Sequence, residues 1–372
     1  MKKNSLLLFY TLVIFSLLGC TVEVNQPASP TPLPGDLSPA PTISILDANN
    51  TTLIPNTWAD LNLNGGLVYS TVSTEGGVYT SRIQLLDLVS GESKTIFTST
   101  GNAWIYYLTV SPDAKQLIMS YAPPSQPGAE SVTSLYALPL EGTATPQILF
   151  TPPTPYDRYI QVEWSPDGQY IYFVHYNHNT QPAGQAFPDY QIFRMAYPDG
   201  QPQKILDQAF WPRISPDSSR LVYITLDPSS GTNQLSLANT DGSNRQAIMF
   251  SDASVSAIVD APIFSLDGQS ILFSAPSPPQ AYQPNWLERL MGVQIASAHN
   301  VPSDWWSVPI LGGVPVRLTH LQTIKLFASI SPDGKHVASL SGDGIFVMDL
   351  DGSNLNRILF DPGVSSTVNW IP

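Results

Sequence analysis

Carboxylates at a regular spacing are the first candidates for chemistry in this chain. Asp113, Asp167, Asp217, Asp267 and Asp333 each stand two residues after a serine. The segments are Ser111-Pro112-Asp113, Ser165-Pro166-Asp167-Gly168, Ser215-Pro216-Asp217, Ser265-Leu266-Asp267-Gly268 and Ser331-Pro332-Asp333-Gly334. Such aspartates could ligate a cation or act as acids and bases, but either role needs several groups within reach of one atom. A turn accounts for them more simply: proline presets φ, aspartate bonds the nearby backbone, and glycine takes the left-handed position. Asp349-Leu350-Asp351-Gly352 holds a fragment of a calcium-loop pattern without its full alternation, and reads as a hairpin. His175 and His178 lack a third partner for zinc. The expectation is no metal, no cofactor and no catalytic residue.

The positioning elements follow from the same turns. Each comes after an apolar residue (Val110, Trp164, Ile214, Phe264, Ile330) and precedes a β-rich run such as Tyr170-Ile171-Tyr172-Phe173-Val174. The serines are 54, 50, 50 and 66 residues apart. A period of that size with short strands predicts an all-β fold, a β-propeller of four-stranded antiparallel blades. A second set of turns marks the outer hairpins: Ser90-Gly91, Glu141-Gly142, Asp199-Gly200, Asp241-Gly242, Gly312-Gly313 and Asp351-Gly352. These turns mark six outer hairpins but the repeated turns only five inner strands. Thr367-Val368-Asn369-Trp370-Ile371-Pro372 matches Gln161-Val162-Glu163-Trp164-Ser165-Pro166 in pattern. The C-terminal strand is therefore expected to complete blade 1 and close a six-bladed ring, removing its open edges. Thr57-Trp58-Ala59-Asp60-Leu61 is the competing candidate for that inner strand. The propeller is expected to span 57–372.

In such a ring the repeated turns share one face. The loops between second and third strands share the other, with the blade-to-blade connections. The long insertions, about 122–133, 176–190 and 276–304, all fall on that second face, where loops of such length are usually functional. Within the last, Asn285 to Gly292 reads as a short helix with Trp286, Leu287, Leu290 and Met291 on one face. The candidate binding face comprises Trp104, Tyr106, Arg158, Tyr159, Trp211, Asp260, Trp286, His299, Asp304 and Trp305. Two residues before the repeated serines stand Glu163 and Arg213, expected to form an ion pair at equal depth on neighbouring blades.

The N-terminus carries an address. Lys2 and Lys3 precede an apolar run from Leu6 to Leu18, which ends in Leu17-Leu18-Gly19-Cys20. This segment resembles the lipobox of bacterial lipoproteins. The resemblance implies a signal peptide over 1–20, cleavage before Cys20 and lipid on its thiol. Cys20 is the only cysteine, so no disulfide is available. Residues 21–56, with prolines recurring from Pro27 to Pro41, read as a semi-rigid tether. The net charge is −13 and charged residues are only 12% of the chain, which argues against a nucleic-acid partner. Membrane attachment is expected through the lipid alone.

Blade 3 best shows a wider resemblance. Trp164-Ser165-Pro166-Asp167-Gly168 leads into Tyr170 to Val174, and Gln191-Ile192-Phe193-Arg194-Met195 runs to Asp199-Gly200. This resembles the TolB-type propeller repeat, which over residues 64–372 implies the six-bladed fold. TolB proteins place an α/β domain ahead of the propeller, whereas a Pro-rich stretch stands there in this chain. Similar propellers precede the hydrolase domain of prolyl oligopeptidase-type enzymes, and this sequence ends where that domain would begin. The functional expectation is a monomeric, lipid-anchored, extracytoplasmic module that binds an envelope protein or peptide without catalysis. The alternative is a polysaccharide- or ligand-binding propeller with hydrolase or lyase activity.

Overall fold

A computed structural model describes residues 61–124, 132–141, 145–177, 188–227, 233–251, 255, 258–276, 301–361 and 363–372. Every strand in it belongs to one of six four-stranded antiparallel sheets. Blade 1 runs, from the axis outward, β24 (Val364–Ile371), β1 (Gly66–Glu75), β2 (Val78–Asp87) and β3 (Ser93–Thr98). Blade 2 is β4 (Trp104–Val110), β5 (Gln116–Ala122), β6 (Ser134–Pro139) and β7 (Gln147–Phe150). Blade 3 is β8 (Asp157–Trp164), β9 (Tyr170–Asn177), β10 (Gln191–Ala196) and β11 (Gln203–Asp207). Blade 4 is β12 (Ala209–Ile214), β13 (Arg220–Leu226), β14 (Asn233–Asn239) and β15 (Gln246–Ala247). Blade 5 is β16 (Asp260–Phe264), β17 (Ser270–Pro276), β18 (Ser303–Pro309) and β19 (Val316–Arg317). Blade 6 is β20 (Phe327–Ile330), β21 (His336–Ser341), β22 (Gly344–Asp349) and β23 (Asn356–Phe360).

The ring closes through β24, as the Trp370 motif predicts. Leu67 pairs with Trp370 and Val68 with Asn369 across β1 and β24. Trp370 Nε1 also donates to the Asn64 carbonyl at 2.9 Å, tying the last strand to the chain's entry into the ring. Each inner strand touches the next, from β24 to β4 and onward through β20 back to β24.

Burial follows radial position. The second strands carry unbroken apolar runs, such as Ile171 to Val174 and Ile271 to Phe273, because a blade is covered on both faces by its neighbours. The outermost strands are short and half wet, as in β7 and β15. The core is thus a set of inter-blade layers.

The repeated turn is one hydrogen-bonded unit copied five times. Ser111, Ser165, Ser215, Ser265 and Ser331 donate through Oγ to the aspartate two residues on, at 2.6–2.7 Å. The same Oγ accepts the backbone N–H of the residue five positions later, at 2.9–3.0 Å. The bonds from Ser215, then Ser219, hold Asp217 at about 2, and bonds led by the serine likewise lower Asp113, Asp267 and Asp333. These carboxylates are spent on the turn.

Candidate functional site

The inner strands build the axis from polar and aromatic positions that recur with the repeat. Four residues before each repeated serine stand Tyr107, Gln161, Trp211, Ala261 and Phe327. Tyr107, Trp211 and Phe327, from alternate blades, meet at the centre. Their ring centroids lie 5.4 Å (Tyr107–Trp211), 5.3 Å (Trp211–Phe327) and 6.3 Å (Tyr107–Phe327) apart. The small or polar residues Gln161 and Ala261 occupy the blades between, and this alternation lets three large rings fill one axis. A β-bulge sits at this level in β8, β12 and β16, where Gln161, Trp211 and Ala261 take φ of 51°, 56° and 45°. Gln161 Oε1 accepts the Trp211 N–H at 2.8 Å.

Two residues further on, side chains stitch neighbouring blades at four of the six junctions. Asn369 Oδ1 accepts from Val110 N, Thr109 Oγ1 from Trp164 N, and Ser329 Oγ from Trp370 N, at 3.0–3.3 Å. At the same level Arg213 Nη1 and Glu163 Oε2 form an ion pair, both side chains largely enclosed. Burial pushes the Glu163 carboxyl up, while the Arg213 guanidinium pulls it back. The pair bridges blades 3 and 4, and its geometry is that of a structural strut.

The loop face, opposite the repeated turns, carries the partly exposed rings. Tyr79 is 48% exposed and Tyr106 39%. Trp104 lies between them, with centroids 5.9 Å from Tyr79 and 6.3 Å from Tyr106. On blade 3 Tyr176 is the cross-strand partner of Arg158. Tyr176 continues to Tyr190 at 5.2 Å, and Tyr190 to Phe210 at 5.6 Å. Burial raises the Tyr176 hydroxyl, with Tyr106 adding to it and Arg158 opposing. Burial takes Tyr190 to about 12, with Tyr176 and Asp260 adding to it. Partly exposed rings therefore follow one another along this face from blade 1 to blade 3, Tyr79, Trp104, Tyr106, Tyr176 and Tyr190, an arc whose last ring packs on the buried Phe210 of blade 4.

Beside it lies one acid–base couple. His175 Nε2 and Asp157 Oδ1 are 2.9 Å apart. Asp157 also accepts from Asn177 Nδ2 at 3.0 Å and from Thr154 N and Oγ1 at 3.0 and 2.6 Å. Burial works to raise its carboxyl, but the bonds from Thr154, His175 and Asn177 outweigh it and hold the group below its ordinary value. With four acceptor positions filled, Asp157 pins the base of the blade 3 loop.

The sequence-predicted face divides. Trp104, Tyr106 and Arg158 lie on it. Tyr159, Trp211 and Asp260 do not line its surface: all three are buried. Tyr159 packs on Phe173 and Phe150 between blades, and Trp211 is part of the axial plug. Asp304 and Trp305 are also corrected, both being 0% exposed in β18. Trp305 Nε1 donates to Ser339 Oγ of blade 6 at 2.7 Å, and Asp304 pairs with Arg317 at 2.6 Å and accepts from Thr319 Oγ1. They look like an exposed tail of the insertion in sequence, but they open a third strand that blade 6 covers. Cys20, Trp286, His299 and the helix read over 285–292 lie outside the described residues. Tyr79, Tyr176 and Tyr190 were missed. Their signal was an aromatic residue within a step or two of a loop-face strand end in successive blades.

Among the described residues no group of three or more His, Cys, Asp or Glu is placed to hold a metal ion, and no helix is long and apolar enough to cross a membrane. A shallow depression of about 120 Å³ lies on the short-turn face, between the turns at Pro216 and Leu266.

No family model matches the chain. Among solved structures it is similar to TolB from Acinetobacter baumannii, with a TM-score of 0.59 at 17% identity over 83% of this chain and 67% of that one. It is also similar to a TolB-type chain from Agrobacterium tumefaciens, with a TM-score of 0.55 at 17% identity over 82% of this chain and 99% of that one. A chain of a nidogen/laminin complex gives a TM-score of 0.56 at 13% identity, covering 82% of this chain and 98% of its own length. At these identities the likeness is one of fold.

Proposed function

We propose that this protein is a non-catalytic binding propeller of the cell envelope, held to a membrane by lipid on Cys20, which captures a protein or peptide on its loop face. The observation that carries the reading is the pairing of a filled axis with a partly exposed aromatic surface. Tyr107, Trp211 and Phe327 occupy the axis at the level where a small ligand would sit in an open ring. Tyr79, Trp104 and Tyr106 offer broad area at the surface instead. Tyrosine and tryptophan are favoured at recognition surfaces because they combine large apolar area with a polar tip. Asn64 and Gly65 join the ring on the short-turn face, where the Gly65 carbonyl accepts from Leu88 N at 2.9 Å. Propellers of this fold also occur in TolB and in a nidogen/laminin complex.

A glycan-active propeller is the second reading, favoured by the Asp157–His175 couple at the edge of the arc. It is the weaker one, because Asp157 spends its oxygens on Thr154, His175 and Asn177.

Two experiments test the proposal. Mass spectrometry of the membrane-bound protein should find lipid on Cys20, and Cys20→Ala should release any cleaved chain from the membrane. Photo-crosslinkers placed at Tyr106 and at Lys335 compare the two faces in intact cells. Adducts from Tyr106 alone are expected; equal adducts from both positions, or from Lys335 alone, sink the loop-face assignment.

A further inference from the structure

We propose that the loop-face arc recognises a cationic polypeptide segment, one presenting lysine or arginine side chains. This rests on the binding reading above and names the chemistry of the partner. Three observations converge on it. The arc offers ring edges and faces in sequence, Tyr79, Trp104, Tyr106, Tyr176 and Tyr190, and the face of an aromatic ring attracts a cation through its quadrupole. Each end of the arc carries a carboxylate. Glu75 pairs with Val78 in the hairpin beside Tyr79, and Asp189 immediately precedes Tyr190. A third carboxylate, Asp260, lies buried at the start of β16 and acts on the Tyr190 hydroxyl at the blade 3 end of the arc.

Arg158, the cross-strand partner of Tyr176, is tied to its own turn. Arg158 Nη1 donates to the carbonyls of Pro155 and Asp157, at 2.6 and 3.1 Å, so its charge serves the blade 3 turn. The chain as a whole, at −13, draws cationic partners by long-range attraction. An anionic segment would meet carboxylates at both ends of the arc. A neutral one would make no use of them.

The test titrates the full chain, kept in mild detergent, with fluorescent oligo-arginine, oligo-glutamate and Gly/Ser peptides of equal length. Oligo-arginine should bind, and more weakly as salt rises. Trp104→Ala and Tyr176→Ala should each weaken it about tenfold or more, the scale of a recognition anchor. Trp104→Tyr, which keeps a ring, should restore most of the loss. Asp189→Asn should weaken it by about threefold, whereas Asp333→Asn, the same charge change on the short-turn face, should leave it unchanged. Melting temperatures of all variants separate misfolding from lost contact. Oligo-arginine binding that survives the Trp104→Ala/Tyr176→Ala pair, or responds equally to Asp189→Asn and Asp333→Asn, is diffuse attraction and overturns the proposal. Preference for oligo-glutamate or the Gly/Ser peptide overturns it too. If Tyr106 still crosslinks a partner in cells, those results remove the cationic class and leave the binding face standing.

Discussion

The two faces of this ring are built on opposite plans. On the short-turn face one motif recurs five times with nearly identical bonds, each closed within five residues of the chain. On the loop face the described connections do not repeat one motif: two-residue hairpins join the second and third strands of blades 1 and 6, at Gly76-Gly77 and Gly342-Asp343, whereas in blade 3 Asp157 ties the end of the second strand through His175 and Asn177. A self-contained turn holds the scaffold without help from its neighbours, and so leaves the other face free to vary. The aromatic arc lies where that repetition stops. On the function proposed above, stability is written into the repeat and recognition into the departures from it.

The largest effect should come from attacking what both faces share. Deleting Val364 to Pro372 removes the inner strand of blade 1 and opens the ring. The melting temperature should fall by more than about 20 °C or the cooperative transition should vanish, while deleting 21–45 should shift it by no more than about 2 °C. Similar losses from the two deletions would break the view of β24 as the closure.

Next comes the axis. Trp211→Ala and Phe327→Ala each empty part of the plug and should cost about 3–5 kcal/mol in urea unfolding. A cost below about 1 kcal/mol would mean that the rings do not carry the centre, and that the axis is open to ligands after all.

A single short turn should matter less. Ser215→Ala strands the Arg220 N–H and one bond to Asp217, for about 1 kcal/mol. The turn also sets an acid limit. Asp217 sits below its ordinary value when folded, so its contribution is present above pH ~4 and is lost as pH falls toward about 2. Asp217→Asn should therefore flatten the decline of melting temperature across that window. An unchanged slope would show that the other lowered aspartates carry acid unfolding without it.

The smallest stability effect is expected where the recognition effect is greatest. Tyr106→Ala should stay within about 0.5 kcal/mol of the parent in urea, since the ring is partly exposed and off the core. Its Tyr106-region crosslinks, read from a probe at Tyr79, should nevertheless drop severalfold. A large stability loss would reassign the arc to the scaffold and erase the contrast between the faces.

The short-turn face and the ring's topology were legible in the residues. Ser-Pro-Asp signals read correctly because the bonds they make are local, and the Trp370 motif announced closure because it copies the Trp164 motif. Depth was harder to read. Trp305 and Asp304 follow an insertion in sequence, yet they open a strand whose side chains are covered by blade 6. Trp211 and Tyr159 read as surface residues because their polar tips and position near a strand start suit a surface, but an inner strand has the axis on one side and a neighbouring blade on the other.

What the sequence determined by itself is the unit: the turn, the strands it joins, their number and the strand that completes the circle. These depend on bonds made within a few residues and on a period that any copy reveals. Only the tertiary structure decided what the units bring together. The axial plug draws one ring from each of three alternate blades, and the arc draws its rings from blades 1, 2 and 3 in turn. The plug joins residues about a hundred or more positions apart, at an angle set by bulges in the inner strands, and neither the period nor the composition encodes that angle.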